Sequence, residues 1–215
     1  MKIILIHGMA MNATINFFLL ERHLKSNGYT NIHKLSYDSM SMSVKEANIY
    51  CYQQILHLLN DDFFEPIVLI GYSLGGVISY KLLDTYLNII LVIFIASPLK
   101  SCDYLENMPY IFKKAINLFN IPVISDLDKR HLENITEPEI PYYTITAGLA
   151  WNDLFDGKIY KKDAIIKEEQ NIHLKFCSHF MLAIDRRCFK EIVKIFEKEG
   201  IGEEDINEDI DDKNI

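Results

Sequence analysis

Ser73 stands in Gly71-Tyr72-Ser73-Leu74-Gly75, directly behind the apolar run 67–70 and ahead of a helix-forming stretch. G-x-S-x-G between a strand and a helix has a mechanical meaning. The serine is forced out of the sheet on a sharp, strained turn, and the flanking glycines remove the Cβ atoms that would collide as strand and helix close. The helix start behind the serine offers unpaired N–H groups to a developing oxyanion. With 9 Gly in 215 residues, composition alone predicts about 0.02 such pentapeptides.

A serine hydroxyl is a weak nucleophile until a base takes its proton and a third group orients that base. Of the seven histidines, His179 is the best placed, in Cys177-Ser178-His179-Phe180 behind the last predicted strand. A loop there would hang it over the sheet edge. His173 falls inside that strand pattern, His131 in an irregular segment, and His23, His33 and His57 beside early elements. For the acid, Trp151-Asn152-Asp153-Leu154-Phe155-Asp156-Gly157 offers two carboxylates. Asp156 is favoured because Gly157 permits a tight bend beside it. Asp153 is the alternative, with Asp163 behind it. The oxyanion needs two donors: the N–H of Leu74, and the N–H of Met9 in His7-Gly8-Met9-Ala10 after the first strand.

The elements that must hold these residues alternate along the chain. Apolar runs predict strands over 3–6, 32–37, 67–72, 89–96, 142–146 and 172–176. Helices are predicted over 14–27, 43–60, 74–86 and 186–199. The first helix should bury Phe17, Phe18, Leu20 and Leu24, and Ser43 with Glu46 reads as a capping box for the second. Continuously apolar strands separated by helices mean a mostly parallel sheet of about six strands, covered on both faces. The length fits one domain over residues 1–200. Residues 98–140, broken by Pro98, Pro109, Pro122 and Pro138, are expected to form a lid or substrate wall.

Charge narrows the partners. Residues 203–215 hold seven acids against Lys213, so the net −8 of the chain shrinks to about −2 over residues 1–202. The segment 201–215 reads as a disordered acidic tail. No basic face is present to neutralise phosphates, which argues against nucleic acid. The longest apolar run, 89–96, is too short to span a bilayer. No secretory leader is visible, so a reducing cytoplasmic setting is expected. Cys51, Cys102, Cys177 and Cys188 have neither zinc nor disulfide spacing and read as free thiols.

The order Ser73…Asp156…His179, with His7-Gly8 before it and Asp156-Gly157 ahead of Ser178-His179-Phe180, resembles the α/β-hydrolases of the small lipase and esterase type. It is also similar to lipase-like domains related to GPI-inositol deacylases. The resemblance covers nearly the whole chain. It implies the α/β-hydrolase fold and cleavage of carboxyl esters, often of lipids, with no metal or organic cofactor. Its implied partners are a small-molecule or lipid ester and a transient membrane surface. A thioesterase or acyltransferase would use the same residues, and a non-catalytic lipid-binding homologue would keep only the fold.

Overall fold

A computed structural model of the chain describes residues 1–100 and 135–202. The lid or wall expected over 98–140 lies for the most part outside the described residues, as do the tail over 203–215, His131 and Cys102.

Six strands form one parallel sheet: β1 (Lys2–Ile6), β2 (Ile32–Leu35), β3 (Ile67–Tyr72), β4 (Ile89–Ile95), β5 (Tyr142–Gly148) and β6 (Asn171–Lys175). Their spatial order is β2-β1-β3-β4-β5-β6. Alternate residues of the central strands enter two separate cores. Leu5, Ile70 and Ile93 pack with α1 (Ala13–Ser26) and with α6 (Arg186–Lys198). Ile4, Leu69 and Val92 pack with α2 (Val44–Leu59) and α3 (Leu74–Leu82). Burial on both faces is what selects continuously apolar strands over alternating ones. Two short helices, α4 (Lys161–Ala164) and α5 (His179–Leu182), complete the described α-helices.

The chain leaves β1 for β2 on one side and returns through β3 on the other. That reversal opens a crevice at the C-terminal ends of β1 and β3, and Met9 and Ser73 follow those two strand ends.

Local signals hold with few exceptions. Ser43 and Glu46 form the capping box of α2. Phe18, expected inside, is 56 % exposed. Ala13, Phe17, Leu20 and Leu24 already fill the inward stripe of α1, and Phe18 lies off it. Strand β2 stops two residues short of the prediction, at Leu35. The Tyr37 N–H turns instead to the ring of His7. No described helix is long and apolar enough to cross a membrane.

Candidate active site

Ser73 sits between β3 and α3 with φ 53° and ψ −119°, a left-handed conformation that a residue with a Cβ rarely adopts. Its N–H donates to the Ile95 carbonyl at 2.8 Å, which ties the turn to β4. The first turn of α3 crosses directly over β1. A Cβ on Gly75 would stand 1.9 Å from the Ile6 carbonyl oxygen, so only glycine allows this crossing. The strain at Ser73 is therefore held by packing of backbone on backbone.

The other two polar partners arrive from the far half of the sheet. His179 opens α5, immediately after β6, rather than lying in a free loop as the sequence suggested. Its Nδ1 lies 2.8 Å from Asp156 Oδ2 and its Nε2 lies 3.1 Å from Ser73 Oγ. A carboxylate only accepts, so Nδ1 carries the proton and Nε2 is left to accept from the serine O–H. Asp156 is itself fixed: its Oδ1 accepts the N–H groups of Lys158 at 2.8 Å and Ile159 at 2.7 Å. Both Asp156 and His179 are buried.

Asp153, the alternative acid, points elsewhere. Its Oδ1 lies 3.1 Å from His173 Nε2 and its Oδ2 lies 3.8 Å from Lys175 Nζ. Asp163 is buried in α4, and the N–H of Lys100 donates to its carbonyl. Cys177, two residues before His179, is no rival nucleophile. Burial, the largest cause, pushes its thiol up to about 12, so it carries no useful thiolate near neutral pH.

The first loop turns its backbone toward the serine. A Cβ on Gly8 would lie 3.1 Å from Ser73 Cβ and 3.0 Å from Tyr72 Cδ1. The Ala10 N–H donates to Ser39 Oγ at 2.9 Å. The N–H groups of Met9 and Leu74 have no acceptor among the described residues. Both residues line one cleft with Ser73, His179, Met11, Pro98, Ile159 and Phe180. Apart from Ser73, His179, Tyr72 and Lys158, that lining is apolar.

Sequence reading passed over the side chain of His7. Its Nδ1 donates to the Gly8 carbonyl at 2.8 Å, its Nε2 accepts the Tyr37 N–H at 3.3 Å, and its ring stacks on Tyr37 at 4.4 Å. A second ring proton would break the Tyr37 contact, and burial holds the His7 pKa below 6.5. Below pH 6.5 the unfolded chain takes up this proton before the folded one does. Stability is thus expected to fall as pH drops from 6.5 toward the folded-state value, with a slope of up to about 1.4 kcal/mol per pH unit. Urea melts of wild type and His7→Phe between pH 7.5 and 5 check this. The variant should show the shallower dependence, and equal slopes would refute the assignment.

The sequence matches no protein-family model and no curated protein. Solved structures do match. A mature lipase of Bacillus licheniformis superposes with a TM-score of 0.71 at 15 % identity, covering 90 % of this chain and 91 % of that one. A serine hydrolase of Cycloclasticus zankles gives 0.61 at 13 % identity, covering 94 % and 91 %. A phospholipase of Legionella pneumophila gives 0.62 at 15 % identity over 76 % of this chain, which spans 45 % of that protein. The fold is that of the α/β-hydrolases. In this α/β-hydrolase sheet the loops after β1, β3, β5 and β6 bring Met9, Ser73, Asp156 and His179 to one end, while Asp153 stays on the side of β6.

Proposed function

We propose that this chain is a serine hydrolase that cleaves carboxylic esters with an apolar acyl group, of the lipase or esterase type. The observation that carries the reading is the unbroken hydrogen-bonded series Ser73–His179–Asp156 at an apolar cleft. Ser73 Oγ attacks the ester carbonyl carbon as its proton passes to His179 Nε2. Asp156 stabilises the imidazolium, and the N–H groups of Met9 and Leu74 receive the oxyanion. Collapse of the tetrahedral intermediate breaks the ester C–O bond, and the leaving alcohol takes the proton from His179. Water, deprotonated by the same histidine, then releases the acid from the acyl-serine.

Apolar surroundings support the acyl preference. Phe176, Phe180, Met181 and Ile184 are exposed beyond the end of β6, and Phe180 also lines the cleft. Exposed aromatic and aliphatic groups beside a cleft suit a substrate presented at a lipid surface. Pro98 lines the cleft as well, so the segment that follows β4 leaves the sheet at the site.

Turnover of p-nitrophenyl esters of graded chain length tests the reading. Octanoate is expected to exceed acetate in kcat/KM by about tenfold or more, since each buried methylene contributes about 0.8 kcal/mol. A preference for acetate counts against the acyl assignment. Failure of folded wild type to react with a fluorophosphonate counts against serine hydrolysis altogether.

A further inference from the structure

Tyr72 fills the variable place of the G-x-S motif, next to Ser73 in sequence, yet its side chain serves His179. Its hydroxyl donates to the His179 carbonyl at 2.7 Å, and the two rings lie 5.4 Å apart. The ring is 1 % exposed and lies against Gly8 of the first loop. On its other side the His179 peptide is held by the Asp156 carbonyl, which accepts the His179 N–H at 2.7 Å. The main chain of His179 is therefore clamped from β3 and from the acid loop together.

Such clamps have a physical reason. Helix α5 is only four residues long, and a single turn has little rigidity of its own. The 3.1 Å contact between Nε2 and Ser73 Oγ must then be set by what grips the backbone beneath the ring. Tyr72 begins at the last residue of β3 and so refers the position of His179 to the strand that carries the nucleophile. Burial raises the Tyr72 pKa, with the nearby Asp156 charge adding to it, so the hydroxyl stays a donor at every working pH.

We propose that Tyr72 is a positioning residue for the reaction, holding the backbone of His179 so that its imidazole stays in register with Ser73. The proposal rests on the reading of His179 as the catalytic base. Tyr72→Phe removes one oxygen and keeps the ring in place. Loss of register on the scale of an ångström is expected to lower kcat about 10- to 100-fold, with KM within about twofold because phenylalanine keeps the ring that lines the cleft and the deleted hydroxyl is spent on the His179 carbonyl.

Proton NMR reads the same event without turnover. The far-downfield resonance of the His179 Nδ1–H shared with Asp156 should be sharp in wild type and broadened or lost in Tyr72→Phe. Tyr143→Phe is the control: it deletes a hydroxyl that bonds Glu199 and Lys198 away from the cleft. It reports the cost of losing any such bond and should leave kcat and the resonance alone. In wild type itself, the Tyr72 hydroxyl proton should exchange slowly and show a nuclear Overhauser contact to His179. Absence of that contact overturns the proposal even if no variant folds. Wild-type kcat and an unchanged resonance in folded Tyr72→Phe also overturn it. If wild type fails to react with a fluorophosphonate, the reading of His179 as base falls and the proposal falls with it. If wild type reacts and Tyr72→Phe behaves like wild type, only the role of Tyr72 falls.

Discussion

Ser73→Ala is expected to lose about 10⁵- to 10⁶-fold in kcat on any ester the wild type cleaves, and all labelling by a fluorophosphonate. The substitution deletes the only atom that could carry the acyl group in the proposed mechanism, the Oγ that lies 3.1 Å from His179 Nε2. What survives is the residual rate from oxyanion donors and substrate binding, which is far smaller than the intact series provides. Retention of even a hundredth of the wild-type kcat would show that another group is the nucleophile. Stability should move separately from activity. Alanine keeps the Cβ and hence the strain of φ 53°, whereas Ser73→Gly releases it. Relief of about 1–3 kcal/mol is offset by about 0.5–1 kcal/mol of extra unfolded-state entropy. The glycine variant is therefore expected to melt a few degrees above the alanine variant while being equally inactive. Calorimetry on the two proteins separates a turn strained for function from one that merely tolerates serine.

The parts of this site that were legible in the sequence are those whose cause is local. Gly71 to Gly75 must form the turn they form because the collisions they avoid are with their own strand, helix and the neighbouring β1. The apolar runs of β3 and β4 announce a sheet buried on both faces, and Ser43 with Glu46 announces the start of α2. The choice of acid was harder. Asp153 and Asp156 share one loop and differ by three positions, and Gly157 behind Asp156 is the local signal that separates them. The difference arises at β6, where His173 and Lys175 engage Asp153 and leave Asp156 to His179. Within the loop, Gly157 at φ 99° lets the N–H groups of Lys158 and Ile159 fold back onto Asp156, but the engagement of Asp153 at β6 is not encoded there. Tyr72 shows the same limit, because its acceptor lies 107 residues further along the chain. His7 could have drawn attention, since a histidine ending a buried strand must place two ring nitrogens. Its partner Tyr37 falls inside the strand predicted over 32–37, where its N–H would belong to the sheet rather than to the His7 ring.

Asp156→Asn is expected to lower kcat about 10⁴-fold while leaving the fold intact, and Asp153→Asn to lower it no more than a few-fold. The first expectation follows from proton placement. Asparagine can still accept the N–H groups of Lys158 and Ile159 through one oxygen, so the turn that Asp156 closes survives. Its other side then presents N–H₂ to His179 Nδ1, 2.8 Å away in the wild type. Two donors cannot face each other, so the ring proton moves to Nε2, where it points at Ser73 Oγ and blocks acceptance of the serine proton. Loss through the wrong tautomer amounts to about 10⁴ in kcat, with KM little changed. The second expectation follows from exposure. The Asp153 side chain is 45 % exposed and pairs with His173, which does not touch Ser73. Exposed pairs of this kind contribute about 0.2–1 kcal/mol, so the loop should hold without the charge. Steady-state kinetics of the two variants at one pH, with circular dichroism to show that both fold, decides the assignment. An equal collapse of both would mean that the loop acts as a unit, and a collapse of Asp153→Asn alone would transfer the acid's role to Asp153.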